Sequence, residues 1–387
     1  MNITLLDSPQ AFDGLRERWN ALSASAVHAS IFTTWSWQRL WWRHYGAGNL
    51  LRIVMVEDAG LLVGLAPLYV QPVRLLPGIR AAMLRFVGTG GDTTPDYLDP
   101  LIRRDYEERV APLLARHLVR EIGGWDVARI SDLHADSPFR PALLAALQEA
   151  RVDCDEEISA RILYVSLPQT WDDYLGALSR ERRYTVRNTR RKFEALPGAR
   201  FFLWDDAATM DAAVDRLIEL HHSRWEQRGE AHSFSSPAYV GFHRDVIHAC
   251  REQNQLRIYC LEVEGTVIAM YYFYRFRDTV YYFQGGFEPQ YERLRPGLCL
   301  MGYAIEHAIR EGNREFDMLR GEYEYKRQWA KQTRATHQVV AYRRNPRALA
   351  YRLRNSYLPG IKRRIKRVLA SVRGAAAAVP AAGSTEA

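Results

Sequence analysis

Asn49–Val70 reads NLLRIVMVEDAGLLVGLAPLYV, and 205 residues further on Asn254–Arg275 reads NQLRIYCLEVEGTVIAMYYFYR. Aligned without a gap, the two share Asn49/Asn254, Leu51/Leu256, Arg52/Arg257, Ile53/Ile258, Glu57/Glu262, Gly60/Gly265 and Tyr69/Tyr274. In each, a β-rich run meets an acidic-Gly turn and a second β-rich run follows, the pattern of a hairpin. A second echo comes in the same order: His117–Glu121 (HLVRE) with His307–Glu311 (HAIRE), then Trp125–Arg129 (WDVAR) with Phe316–Arg320 (FDMLR). Each predicts a helix that ends near glycine and a short buried strand after it. Two ordered echoes predict an internal duplication, and their spacing is that of a domain rather than a solenoid repeat. Helices fall between strands, so the expected class is α/β (α+β mixed), with a mixed central sheet flanked by helices in each of two tandem units packed face to face.

The chain of 387 residues is long enough for two such units, and 47% hydrophobic with 25% charged residues is ordinary globular composition. No apolar run is long enough to span a bilayer. Met1–Gln10 contains Asp7 and no basic region before an apolar stretch, so no secretory signal is expected. Cys154, Cys250, Cys260 and Cys299 are scattered without CxxC pairing, which speaks against a structural zinc site and for a reducing cytoplasm. The formal charge of +8 sits wholly in the stretch from Asn345 onward, where Glu386 alone opposes nine basic residues. The body is neutral, which argues against a broad nucleic-acid face on it. The expected division is 1–168, 169–345, a basic amphipathic helical extension over 346–373 and a disordered Ala/Pro/Gly/Ser-rich tail over 374–387. Apolar Leu349, Leu353, Tyr357, Ile361, Ile365, Val368 and Leu369 recur at helical spacing among Arg and Lys, as in a helix that rests on an anionic membrane.

Three segments carry chemistry-bearing residues. In Tyr282–Leu300 (YFQGGFEPQYERLRPGLCL), glycines follow a strand and Pro296-Gly297 opens a helix, leaving backbone N–H groups at the positive end of its dipole for a phosphate. The candidate donor contacts there are Gln284, Gly285, Arg293, Arg295, Gly297 and Leu298. In Phe316–Trp329 a buried strand runs into Arg320, Glu322, Tyr325, Lys326 and Trp329, at the strand end where open α/β sheets bind ligands. The helix Arg180–Lys192 sets Arg183, Arg187 and Arg190 on one face, able to hold a phosphate or an anionic glycan. His221, with Arg224 and Trp225, lies on a further helix. No GxSxG, HExxH or P-loop occurs, which disfavours a serine hydrolase, a zincin or an NTPase.

Leu217–Trp225 (LxxLHxxRW), Pro296-Gly297 and FDMLRGEYEYKRQW from Phe316 to Trp329 resemble the CelD-like branch of the GNAT acyltransferase superfamily, associated with bacterial cellulose and exopolysaccharide synthesis. The likeness covers about Trp171–Tyr342 well and the first copy in outline, and the branch is distantly similar to Fem peptidyltransferases with two tandem GNAT-like domains. The resemblance implies acyl transfer from a thioester to an amine or hydroxyl, on a sugar, by direct attack without a covalent enzyme intermediate. It implies acyl-CoA, acetyl-CoA first, or acyl carrier protein as co-substrate, and no metal. By resemblance and location, Glu322 is the candidate base with His221 second, Tyr325 protonates the leaving thiolate, and Lys326 binds donor or acceptor phosphate. Arg187, Arg224, Arg320 and Trp329 are candidate acceptor contacts. The superfamily's pyrophosphate loop usually carries a second small residue that Arg293–Cys299 lacks, which weakens the case for acetyl-CoA itself and leaves room for carrier protein or aminoacyl-tRNA as donors. The first copy has no Pro-Gly helix start and is expected to be structural or acceptor-binding. The alternatives are a Fem-like aminoacyltransferase using aminoacyl-tRNA and a non-catalytic scaffold. The expected place is the cytoplasm, at the periphery of the inner membrane.

Overall fold

A computed structural model describes residues 1–226 and 233–355. Strand β1 (Asn2–Leu6) leads into helices α1 (Pro9–Gly14), α2 (Arg16–Ser25) and α3 (Trp35–Tyr45). The hairpin β2 (Leu50–Asp58) and β3 (Leu61–Leu76) follows, then β4 (Ile79–Phe86) and the short β5 (Leu101–Ile102). Helix α4 (Glu107–Arg120), strand β6 (Val127–His134), helix α5 (Phe139–Glu149) and strand β7 (Asp153–Ser166) end the first half. The second half opens with α6 (Trp171–Ala177), α7 (Arg180–Glu194), β8 (Arg200–Leu203), α8 (Met210–Glu226) and α9 (Pro237–Glu252). Then come β9 (Leu256–Val263), β10 (Thr266–Phe276), β11 (Thr279–Phe287), α10 (Pro296–Arg310), β12 (Glu315–Arg320), α11 (Glu324–Arg327) and β13 (Gln332–Tyr342).

The duplicated stretches are hairpins of the same construction. Their turns place Ala59 and Gly60 at φ of 48° and 80°, and Glu264 and Gly265 at 50° and 78°. Two successive positive φ values define the turn whose twist suits a hairpin, and glycine in the second position takes the larger angle without strain. Both ladders then slip at one place: Val56 pairs with Gly64 but Glu57 with Leu62, and Leu261 pairs with Ala269 but Glu262 with Val267. The bulged residues, Val63 and Ile268, are 205 apart and fully buried. A shared bulge at a shared offset is a structural trace of one ancestral unit. The second echo holds too, since α4 and α10 end alike on Glu121 and Glu311, whose N–H groups bond to the carbonyls of His117 and His307.

All strands join in one sheet of order β1-β2-β3-β4-β6-β13-β7-β12-β11-β10-β9-β8, with β5 on β3. The units therefore merge edge to edge, which corrects the expected face-to-face packing. The order is near-palindromic because the last strands are exchanged. β7, from the first half, pairs with β12, and β13, from the second, pairs with β6. The two pair with each other from Gln332↔Tyr164 to Tyr342↔Asp153. Among the described residues only β4/β6 and β11/β12 are parallel.

Side-chain alternation splits the second half into two apolar layers. Met270, Tyr272 and Tyr274 face the core formed with α8 and α9. Tyr271 and Phe273 face the one formed with α7 and α10. The residues 346–355 are helical, and Ala348 and Tyr351 pack on Leu75, Met83, Val127 and Val340. Leu349 and Leu353 stay exposed, while the rest of the expected extension and the tail, 356–387, lie outside the described residues.

Because β13 completes the first half and β7 the second, neither half holds its sheet alone. The full chain is expected to unfold in urea as one cooperative transition, with residues 1–168 expressed alone lacking any. A cooperative, native-like melt of 1–168 by circular dichroism would show the exchange to be dispensable.

Candidate active site

Strands β11 and β12 are hydrogen-bonded only over Thr279↔Glu315, Val280↔Phe316 and Tyr281↔Asp317, after which they part. Three local features hold them apart. β11 carries a bulge at Phe283, since Tyr272 pairs with Gln284 but Phe273 with Tyr282. In β12 Leu319 takes a left-handed φ of 54°, a strained conformation for a leucine, at a break in the ladder to β7. The third is Lys326, whose buried Nζ donates to the carbonyls of Met318 (2.6 Å), Leu319 (3.2 Å) and Arg320 (2.7 Å). Its ammonium thus binds backbone acceptors at the carboxyl end of β12.

Outside this split lies the N-terminus of α10. A hollow of about 670 Å³ is bordered by Arg182, Arg295, Leu298, Arg327, Gln328 and Lys331, with Glu181 the opposing charge. Helix α10 has no side-chain cap and no acidic residue in its first turn, so its positive end faces this basic hollow unneutralised. Arg182 also stacks its guanidinium over Trp329, 4.5 Å from the ring centroid. The arrangement favours a phosphate or another anion. The matching helix of the first half, α4, opens with Glu107 and Glu108 and has its dipole satisfied from within.

Beneath the split, charged groups from both halves interlock. Arg320 donates to Asp96 (2.8 Å), to Asp132 (2.8 Å) and to the carbonyl of Pro95 (2.8 Å). Asp317 accepts from the Tyr97 hydroxyl at 2.6 Å and from the Leu319 N–H at 2.7 Å. Burial pushes Asp317 up to about 7, although Arg334 and these hydrogen bonds work against the shift. Burial likewise lowers Lys326 to about 8, opposed by Asp96 and Asp317. The result is a buried amine and a buried carboxyl both titrating near neutrality beside a split sheet.

Of the residues expected from sequence, Arg295 and Leu298 border the hollow, with Arg293 exposed on the preceding turn. Gly285 lies inside β11 rather than in a loop, against the Tyr271 ring, where a Cβ would collide. Gly297 abuts the Tyr271 hydroxyl. Their shared contribution is close packing on Tyr271, a correction to the reading of free N–H groups after a strand. Glu322 is ion-paired with Arg327 at 2.9 Å, and Tyr325 on α11 packs against the α10 layer. Trp329 is buried and its carbonyl accepts from the Tyr174 hydroxyl. His221 is buried on α8, 2.9 Å from the Gln284 amide, on the opposite side of the sheet from α10. Arg187 lies near Asp172 (3.8 Å) on the exposed face of α7, and the Arg224 side chain falls outside the described residues. Sequence reading missed Arg182, Arg327 and Lys331 as partners of Arg295. It also missed Asp317, whose echo with Asp126 was visible but whose apolar neighbours made the strand look purely structural.

Residues 180–327 match the model of the acetyltransferase (GNAT) domain family. The matched segment runs from α7 through the split strands to α11, so the second half carries a GNAT-type acyltransferase domain. Among solved structures the chain is similar to FemX, at 12% identity and a TM-score of 0.60 over 88% of this chain and 97% of that one. It is also similar to the C-terminal domain of a putative lysylphosphatidylglycerol synthetase from Agrobacterium fabrum (12%, 0.51, 89% and 95%) and to L-PGS from Bacillus licheniformis (14%, 0.51, 85% and 92%). At these identities the likeness is one of fold, and it extends over both halves. No curated protein matches the sequence.

The raised pKa of Asp317 fixes the sign of a stability test. Between its ordinary value of 3.8 and about 7 the folded chain keeps a proton that the unfolded chain releases, so stability falls as pH rises through that window. Replacing Asp317→Asn removes this part of the pH dependence. The urea stability of the variant relative to wild type is expected to improve from pH 4 to pH 7.5, by at most about 4 kcal/mol. An unchanged difference would mean that Asp317 is ionised throughout.

Proposed function

We propose that the chain transfers an acyl group from a donor with an anionic handle, held at the α10 N-terminus, to an amine or hydroxyl on an acceptor that reaches the split between β11 and β12. The observation that carries this is the meeting of the basic hollow, the parted parallel strands and Lys326 within a GNAT-type domain. Residues 169–345 are proposed as the catalytic unit and 1–168 as structural and acceptor-binding. Arg182, Arg295, Arg327 and Lys331 would hold the phosphates of acyl-CoA, the first candidate donor.

For an amine acceptor and a thioester, the nitrogen attacks the carbonyl, the N–C bond forms and the C–S bond breaks. The proton leaving nitrogen passes to neutral Lys326 Nζ, the thiolate takes up a proton from water, and Lys326 returns its own to solvent before the next turnover. An amine of pKa about 8 suits that exchange near physiological pH. Glu322, tied to Arg327, and Tyr325 stay the second choices for proton transfer, and His221 is better suited to shaping the far side of the sheet. A role in polysaccharide synthesis at the inner membrane is consistent with the exposed Leu349 and Leu353 on the helix that leads into the basic extension. Among the described residues no helix is long and apolar enough to cross a membrane.

A second reading has its own observation. Arg180, Arg183, Arg187 and Arg191 line one face of α7 together with Tyr184, while the other face of the same helix borders the hollow through Glu181, Arg182 and Thr185. Such a face fits a donor carried on a polyanion, as in a Fem-like aminoacyltransferase using aminoacyl-tRNA.

Calorimetry with the full chain and acetyl-CoA should give saturable binding that Arg295→Ala and Lys331→Ala each weaken about tenfold. Lys326→Met should leave that binding intact while abolishing acyl transfer to amino-sugar acceptors. Wild-type rate should climb with pH towards a plateau above about 8. Acetyl-CoA that fails to bind, with aminoacyl-tRNA that binds and is released by Arg183→Glu/Arg187→Glu, would transfer the assignment to the second reading.

A further inference from the structure

The first half has its own parted pair. β4 and β6 are hydrogen-bonded only at Met83↔Val127 and Leu84↔Ala128. Beyond that point, at the carboxyl ends of both strands, lies a cavity of about 390 Å³ walled by the segment Thr89–Pro95, β6, β7, Gln338 of β13 and Arg320. Parallel strands that diverge at their carboxyl ends make the crevice in which α/β sheets hold ligands. In the second half the corresponding split is filled by Lys326. In the first it is hollow.

Charge inside this cavity is unevenly paired. Of its three guanidinium groups, Arg320 is held by Asp96 and Asp132. Arg129 makes no side-chain hydrogen bond or ion pair among the described residues, and its Nε is buried without a partner. Arg85 donates from Nη1 to the Gln71 amide oxygen at 3.1 Å, has no carboxylate partner among the described residues, and its Nε is likewise buried and unmet. Of the carboxylates that line the space, Asp132 is paired with Arg320, while Glu157 accepts from the neutral Gln338 amide at 2.7 Å and keeps its charge at the β7 wall. Gly90, at a φ of 98°, lies where a Cβ would come within 2.9 Å of the Arg85 guanidinium and 2.7 Å of the Tyr69 hydroxyl. Glycine there lets Arg85 lie against the loop at the cavity wall. The unmet Nε atoms leave the Arg85 and Arg129 guanidinium groups, both at the wall of one cavity, free to take an anion.

The cavity is also connected. Ile158, Ser159 and Arg320 border it, and they border equally an adjoining hollow of about 450 Å³ that runs to Gly321, Glu322 and Tyr323 at the end of β12. A molecule anchored at Arg85 and Arg129 can extend along this trench towards the split that holds Lys326. Hydroxyls of Thr94, Ser131 and Ser159 line or border the way.

We propose that the β4/β6 cavity is the acceptor subsite, binding a hydroxyl-rich acceptor through a phosphate or carboxylate with Arg85 and Arg129 as counter-ions. This rests on the reading of the β11/β12 split as the place of acyl transfer. The duplication thus yields two clefts with two tasks, the donor beside α10 and the acceptor between β4 and β6.

The test is calorimetry on the full chain with three probes, glucose 1-phosphate, glucuronate and glucose, and acetyl-CoA as donor control. Saturable binding of either anion with no detectable binding of glucose supports the subsite, and the tighter of the two identifies phosphate or carboxylate as the anchor. Arg129→Gln should weaken the anion about tenfold without changing acetyl-CoA affinity, and Arg85→Gln should do the same by an independent route if the first variant melts early. Absence of saturable binding by both anions, or affinities unchanged in both variants, overturns the subsite. Anion binding that persists and responds to Arg129→Gln while acetyl-CoA fails to bind would instead count against the donor reading alone.

Discussion

The ladder between β7 and β13 is the constraint from which the rest of the molecule follows. Each of these strands belongs by sequence to one half and by hydrogen bonding to the other, so the sheet closes only when both halves are present. The exchange brings the carboxyl ends of β6 and β12 close enough for Arg320 of one half to reach Asp96 and Asp132 of the other. A buried ion-pair set of this kind is weak evidence of net stability, because desolvation offsets most of the attraction. Its effect is on register: removing one partner would leave an uncompensated buried charge at a cost of about 3–5 kcal/mol, which penalises any slippage of the central strands. Position is thereby fixed for the two clefts relative to each other.

Duplication gave both halves the same hairpin, bulge and parallel pair, and their divergence is readable as electrostatics. The two helices that follow the fourth strands show it most plainly. α4 begins with Glu107 and Glu108, which satisfy its dipole and repel an anion, whereas α10 begins without acidic residues beside Arg295. The parallel pairs differ in the opposite sense, since Lys326 fills one split, whereas among the described residues the other borders a hollow. A symmetric fold has therefore been made asymmetric by a handful of side chains at its strand ends. Both parallel strands also carry a left-handed residue towards that end, Asp132 in β6 and Leu319 in β12, at positions that the Asp126/Asp317 echo does not align.

The hairpins, the helix endings and the buried strand Phe316–Leu319 were legible because they depend on local pattern: a Glu-Gly turn, alternation, an apolar stripe. What was not legible depends on partners distant in sequence. Thr336, fully buried in β13, reads as a polar residue in a charged stretch, and nothing in its neighbours announces that it will lie between β6 and β7. Gly285 was misread because a glycine looks the same in a loop and in a strand pressed against an aromatic ring. The candidate site was half visible: Arg295 and Leu298 could be inferred from the helix start, while Arg182 and Lys331 come from chain segments 113 and 36 residues from Arg295. Lys326 drew notice as a possible phosphate ligand, but its burial among carbonyls follows from the strand split and could not precede it.

That burial bears on the proposed chemistry. A lysine ammonium has three N–H donors and no acceptor, and Lys326 meets three carbonyl oxygens, so its charged form is fully satisfied where it stands. Desolvation works the other way and lowers the pKa, while Asp96, from the first half, and Asp317 draw it back up, leaving a balance near 8. Loss of the proton frees a lone pair and at the same time removes the charge that attracts the carbonyls. Capture of a proton from an attacking acceptor returns the amine to the state those carbonyls hold best. The driving force for that capture thus resides in backbone oxygens exposed by the parting of β11 and β12. Its strength is set in part by Asp96, a carboxylate from the other half of the chain, so the contact between the halves tunes the group on which the proposed transfer depends.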